Sequence, residues 1–275
     1  MCATCGCSTA KSYSIKKVDG QPHHHDHDDE QHRHMHEHGI PHEHASAHEE
    51  SHSHDEHSPR RTIPLQQSVF AKNDLIAERN RGFFKAKDIR AINLLSSPGA
   101  GKTTLLEKTL QDLRSKVGIG VIVGDPQTDL DAMRLGQKDA PVIQVITGDA
   151  CHLDAEMVWN SFDQIDWNGK RLLFIENVGN LVCPAAYDLG EQARVVLLSI
   201  TEGEDKPLKY PTIFKTADVV LLTMMDLKTA AVADVEKIIK NVHAVAPQAQ
   251  VISVSVRSND GLQEWYDWLF KLLNG

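Results

Sequence analysis

Two kinds of residue group in this 275-residue chain have the types and spacing to do chemistry: a glycine-rich stretch ending in lysine and threonine, and clusters of cysteine with histidine. The first is SSPGAGKTT at residues 96–104, which follows the apolar run AINLL and precedes the helical pattern LLEKTLQDLR. Strand, glycine loop, Lys-Thr and helix together make the context of a phosphate-binding loop. The first N–H groups of a helix have no partner inside it. Backbone at Gly99, Ala100, Gly101, Lys102, Thr103 and Thr104 would therefore point its donors at phosphate oxygens. Lys102 would reach the β and γ phosphates, and the Thr103 hydroxyl would hold Mg²⁺. Ser96 stands where the first glycine is usual, which leaves the close approach to phosphate with Gly99 and Gly101.

Two carboxylates fall at the carboxyl ends of predicted strands, the edge where open α/β sheets bind their ligands: Asp125 in VGDPQTD and Glu176 in LLFIENVG. Either would hold Mg²⁺, directly or through water, or orient an attacking water. Base recognition would fall to TMMDL at residues 223–227, with Asp226 accepting the guanine N–H groups. Met224 takes the place where a lysine stem usually packs along the ring; a thioether can still lie on a purine face. Asp226 facing adenine would be an unpaired buried charge, so the expected ligands are GTP and GDP, weakly held. VSVRS at residues 254–258, with Ser255, would back the base.

MCATCGC carries Cys2, Cys5 and Cys7 within six residues, enough with a terminal or backbone nitrogen to wrap one ion. Sulfur with nitrogen in a near-planar arrangement suits Ni²⁺ and tetrahedral sulfur suits Zn²⁺; spacing leaves both open. TGDACHLDAE puts Cys151 beside His152 just after a strand, and ENVGNLVCPA puts Cys183 seven residues beyond Glu176. Two such loops at the phosphate edge make one shared metal site, its ligands drawn from one chain or from both chains of a dimer.

Of 16 histidines, 14 lie in residues 23–57: His23, His24, His25, His27, His32, His34, His36, His38, His42, His44, His48, His52, His54 and His57. The same stretch holds ten acids and one base, the whole of the formal charge of -9, so 28 acids and 28 bases remain elsewhere. A segment so polar has nothing to offset the entropy of ordering it, and residues 8–60 read as a disordered arm. Spaced imidazoles and carboxylates would bind several exchangeable Ni²⁺, Cu²⁺ or Zn²⁺ ions; a solvated, pH-responsive tail is the plainer alternative. The neutral remainder gives no electrostatic reason to expect nucleic acid or an anionic membrane as partner. No apolar run reaches the roughly 20 residues of a membrane helix and no signal-peptide core is present, so a cytoplasmic protein with free thiols is expected.

From about residue 61 the chain supplies the elements that must position these groups. After an amphipathic helix over 67–87 come strand-sized apolar runs at 91–95, 120–124, 142–147, 171–177, 194–200, 218–224 and 250–255, separated by helix-sized segments. Continuous rather than alternating hydrophobicity means both faces are covered, as in a mostly parallel sheet flanked by helices. The fold class is therefore α/β, with one domain over 61–275 and a packed terminal helix over 262–273.

MCATCGC, SSPGAGKTTLL, GDACHLDA, FIENVGNLVCPA and TEGEDKPLKYP together resemble the HypB family, the GTPases of nickel incorporation into [NiFe]-hydrogenase. The resemblance covers the terminal cluster and nearly everything from residue 61 onward. It implies a phosphate-loop GTPase of the signal-recognition and MinD-like branch that forms a homodimer with GTP. It also implies delivery of Ni²⁺ to the hydrogenase large subunit with a small HypA-type partner. By the same resemblance Cys2, Cys5 and Cys7 form a tight nickel site, and Cys151, His152 and Cys183 a weaker one for Ni²⁺ or Zn²⁺. The histidine arm matches members that store nickel, while Met224 departs from the family's lysine. Two rival readings are a urease-type accessory GTPase and a nickel or zinc store with a vestigial nucleotide domain.

Overall fold

The computed structural model describes residues 13–18 and 65–275. Its frame is one eight-stranded sheet in the order β1-β4-β3-β5-β2-β6-β7-β8. The strands are β1 (Ser14–Val18), β2 (Arg90–Ser96), β3 (Gly118–Asp125), β4 (Val142–Ile146), β5 (Lys170–Glu176), β6 (Ala193–Ser199), β7 (Val219–Thr223) and β8 (Gln250–Ser253). All seven from β2 onward run parallel, as their continuous apolar character predicts.

Helices cover both faces. On one lie α2 (Lys102–Leu113), α3 (Leu130–Gly136) and α9 (Leu262–Asn274), packed on Ile92, Leu94, Val121 and Phe174. On the other lie α1 (Leu65–Ala86) and α4 (Ala155–Phe162) over Ala91, Ile122 and Leu173, with α6 (Pro211–Lys215) and α8 (Val235–Val245) over Leu95 and Val220. The alternation of Ala91, Ile92, Leu94 and Leu95 between these cores is the two-residue period of a strand buried on both sides. Short helices α5 (Lys206–Lys209) and α7 (Lys228–Ala231) complete the chain near the carboxyl ends of β6 and β7.

The chain leaves β2 toward β3 on one side, then returns through β5 and passes β2 to β6 on the other. This reversal puts the topological switch point at the carboxyl ends of β2, β5 and β6, the edge where such sheets bind ligands. Expected strand positions agree with the structure to within about two residues.

Residues 14–18, expected within a disordered arm over 8–60, instead pair antiparallel with β4, Ser14 opposite Ile146 and Val18 opposite Val142. Tyr13 accepts a hydrogen bond from Asn160 Nδ2 at 2.6 Å, Ile15 packs on the α4 side, and Lys16 reaches Asp129 at 3.0 Å. Five residues with two lysines carry too little apolar pattern to announce a strand. An edge strand exposed on one side needs no more, and lysines there discourage edge-to-edge pairing. The rest of the arm with its 14 histidines, and Cys2, Cys5 and Cys7, lie outside the described residues.

Candidate functional site

The loop between β2 and α2 has the local geometry its sequence calls for. Gly99 and Gly101 both take left-handed backbone, φ 76° and 90°, a conformation only glycine adopts without cost. Lys102, the first residue of α2, is buried and donates from Nζ to Ser96 Oγ at 2.6 Å; Ser96 donates on to the Ser97 carbonyl. The serine in place of the usual glycine therefore parks the lysine. Burial lowers the Lys102 pKa, against the opposing pull of Glu176, Asp131 and Glu202. The loop is braced from two sides, by Thr223 Oγ1 donating to the Ala100 carbonyl at 2.8 Å and by Ser97 donating to Glu202.

Thr103 Oγ1 donates to Glu176 Oε1 at 2.6 Å. The other carboxylate oxygen, Oε2, is buried with no hydrogen-bond partner among the described residues. Desolvation pushes the Glu176 pKa up to about 7, moderated by the Lys102 charge and the Thr103 hydrogen bond and reinforced by Asp131. A buried, unshared carboxylate oxygen beside a threonine hydroxyl is a donor set that suits a hard dication such as Mg²⁺. Asp125 stands farther off: β5 separates its strand from β2, and its Oδ1 accepts from the Thr128 and Gln127 amides at 2.6 and 2.9 Å. No hydrogen bond joins Asp125 to Thr103 among the described residues.

Of the two residues expected near a guanine, Ser255 Oγ donates to Asp226 Oδ1 at 2.7 Å. Met224 adopts left-handed backbone, φ 60°, and its sulfur accepts from Ser199 Oγ at 3.3 Å.

The third group is the cysteine–histidine cluster. One ligand atom each from Cys151, His152 and Cys183 lie within 4.8 Å of one another, all from a single chain. Cys151 and His152 sit in the loop from β4 to α4, whose first turn is capped by Asp154 accepting from the Met157 amide at 2.9 Å. Cys183 ends the connection that begins at Glu176. His152 is buried and stacks on Tyr187, ring centroids 3.8 Å apart, while both thiols are half-exposed. Two thiols and an imidazole favour a borderline metal such as Zn²⁺ or Ni²⁺ over Mg²⁺, and three protein ligands leave a coordination position for exchange.

A family model described as the CobW/HypB/UreG nucleotide-binding domain matches residues 90–253. The chain is 50% identical to the hydrogenase maturation factor HypB of Azotobacter chroococcum mcd 1 over 212 residues, 77% of this chain and 70% of that one. This chain belongs to the HypB family. The crystal structure of HypB from Helicobacter pylori in complex with nickel superposes with a TM-score of 0.71 at 37% identity, covering 74% of this chain and 95% of that one. HypB from Archaeoglobus fulgidus gives 0.70 at 37% identity, over 74% and 99%. Among the described residues no helix is long and apolar enough to cross a membrane.

In this HypB-family chain the residues that hold the site together are ones that sequence reasoning passed over. Asn177 Oδ1 accepts from the Leu153 and Val178 amides, both at 3.0 Å, and its Nδ2 donates to Asn93 Oδ1 at 3.2 Å. Asn93 Nδ2 donates to Glu191 Oε1, which Arg194 Nε meets at 2.6 Å. Arg194 also donates to the carbonyls of Ala185 and Tyr187, at 3.2 and 3.0 Å, just beyond Cys183. Gly179 runs against Pro98 of the phosphate loop, so close that a β-carbon there would stand 3.0 Å from the Pro98 backbone. Polar side chains inside apolar strands, Asn93 in RAINLLS above all, were the available signal, since a buried amide must be paired.

Proposed function

We propose that the chain is a slow GTPase switch for nickel, in which the phosphate pocket and the Cys151, His152 and Cys183 cluster report on each other. One observation carries this reading: Glu176, bonded to Thr103 in the phosphate loop, and Cys183, a member of the cluster, are the two ends of one connection. GTP would sit with its phosphates on the amides of Gly99 to Thr104 and on Lys102. Its guanine would face Asp226, with Ser255 behind. Thr103 and a carboxylate, Glu176 directly or Asp125 through water, would hold Mg²⁺, which when bound neutralises charge on the phosphate oxygens. One of the same two carboxylates would orient the attacking water, and hydrolysis to GDP and phosphate would release the 176–183 connection.

The cargo is Ni²⁺, with Zn²⁺ the competing occupant of the domain cluster. In support, the chain belongs to a family of hydrogenase maturation factors, and a relative of the same fold is a complex with nickel. The delivery target is the [NiFe]-hydrogenase large subunit, reached with a HypA-type partner, by a homodimer that closes on GTP. Cys2, Cys5 and Cys7 supply the tight nickel site, and the histidines of residues 23–57 the exchangeable store.

Titration of Ni²⁺ and Zn²⁺ into apo, GDP-bound and GTP-analogue-bound protein tests the switch; identical affinities in all three states would refute it. Deleting residues 23–57 should lower the number of Ni²⁺ bound while sparing hydrogenase maturation at ample nickel. If Lys102→Ala leaves maturation untouched at scarce nickel, the chain is a metal store and not a switch.

A further inference from the structure

The hydrogen-bond network around Asn177 has an asymmetry that glue alone does not require. Asn177 is buried and directly follows Glu176 at the end of β5. Successive strand residues point to opposite faces. Glu176 therefore turns toward α2 and the phosphate loop, and Asn177 toward the α1 and α4 side, where Leu153 is buried. One peptide thus carries two side chains: one bonded to Thr103, the other to the backbone immediately after His152. The backbone N–H of Asn177 donates to the Leu94 carbonyl at 3.1 Å, which pins the pivot to β2, two residues short of the phosphate loop.

The amide cannot invert. Its oxygen faces two backbone donors, at Leu153 and Val178, and its nitrogen faces an acceptor on Asn93; a flip would set donor against donor at two contacts. Through Asn93 the same chain of bonds reaches Glu191 and Arg194, and from Arg194 the carbonyls of Ala185 and Tyr187 behind Cys183. Both segments of the metal cluster, 151–153 and 183–187, therefore hang from one buried polar network whose centre, Asn177, is the residue after the phosphate-facing carboxylate.

We infer that Asn177 is the positioning residue that couples the two sites: a shift of Glu176 when the phosphate pocket changes occupant turns the 176–177 peptide and pulls the Cys151–His152 loop against Cys183. This deepens the switch reading and rests on it.

The test uses the full chain with Cys2, Cys5 and Cys7 replaced by alanine. The chain has five cysteines, so thiolate-to-nickel charge-transfer absorption then reports only Cys151 and Cys183. Ni²⁺ is titrated with GDP bound and with a non-hydrolysable GTP analogue bound, in this parent and in Asn177→Asp and Asn177→Ala. The first variant keeps an acceptor for Leu153 and Val178 but replaces the donor to Asn93 by a carboxylate oxygen with its charge; the second removes acceptor and donor together. The parent should show a ratio between the two nickel affinities on the order of 5-fold or more. In the variants that ratio should fall to within about twofold of one. Linkage demands that Ni²⁺ lose its effect on nucleotide affinity by the same factor, a readout that a merely structural amide would not move. Variants that bind nickel more weakly in both nucleotide states but keep the parental ratio overturn the inference. A parent ratio of one overturns the switch itself, which separates the two failures.

Discussion

His152 lies almost flat against Tyr187, ring centroids 3.8 Å apart and planes inclined by 23°. The stack fixes the plane of the imidazole of the Cys151–His152–Cys183 cluster, and Tyr187 is in turn held through its carbonyl by Arg194. An aromatic pair of this kind is worth about 0.5–1.5 kcal/mol beyond its buried area. Tyr187→Ala should weaken Ni²⁺ and Zn²⁺ binding at the cluster by roughly 3- to 10-fold, and Tyr187→Phe, which keeps a stacked ring, should lose less. Competition with a colorimetric chelator measures both; equal affinity in the alanine variant would show that the imidazole needs no support.

The raised pKa of Glu176 carries a definite pH dependence. Its carboxyl titrates near 4.5 when unfolded and at about 7 in the folded chain, so between these values the folded state binds more protons. Ligand-free stability should therefore be highest below about pH 4.5 as far as this group is concerned, and decline as pH rises to 7. Mg²⁺ needs the ionised form, so Mg²⁺-dependent GDP affinity should move the other way, strengthening through pH 7. Glu176→Gln should abolish both trends, as thermal melts and nucleotide titrations across pH 5–8 would show. A Glu176→Gln profile that parallels the parent would assign the dependence elsewhere.

Arg194 compensates a carboxylate taken out of water. Its Nε stands 2.6 Å from Glu191 Oε1, and the Glu191 side chain is 3% exposed. Burial pushes the Glu191 pKa up while Arg194 pulls it back. Removing one partner of such a pair costs about 3–5 kcal/mol, so Arg194→Ala should lower the Tm by roughly 10 °C. Glu191 would then have a still higher pKa, and the deficit should shrink as pH falls. Replacing both residues together, Glu191→Gln with Arg194→Met, should recover part of the loss.

Met224 holds left-handed backbone at φ 60°, and its side chain reaches back to Gly101, its methyl 3.7 Å from where a β-carbon there would lie. Its side chain therefore lies against the phosphate loop, two residues before Asp226. Met224→Lys should tighten GDP several-fold by restoring a long stem with an ammonium group to brace the loop. Unchanged affinity by fluorescent-GDP titration would mean that the ring is gripped elsewhere.

Much of this site is written in short motifs because its chemistry is local. Gly99 and Gly101 shape the backbone of the loop, Lys102 and Thr103 follow them directly in sequence, and seven of the eight strands are continuous apolar runs that a parallel sheet needs. Asp226 and Ser255 are each expected near the base from separate motifs, and the fold brings them into hydrogen-bond contact with each other. Residues 14–18 were missed because an edge strand needs little hydrophobic pattern, and Asn177, Asn93, Glu191 and Arg194 because nothing in their spacing marks them as partners.

Residue types alone pointed to a phosphate loop, a candidate base-facing Asp226 and three candidate soft ligands in the domain, since each depends on a side chain's own chemistry or on neighbours a few positions away. The tertiary structure decided which carboxylate meets Thr103, that one chain suffices to gather Cys151, His152 and Cys183, and that a buried amide ties this cluster to the phosphate edge. Those outcomes depend on strand order. Placing β5 between β3 and β2 sets Glu176 beside the loop and Asp125 a strand farther away, and strand order is a property of how distant segments pack, not of any one of them.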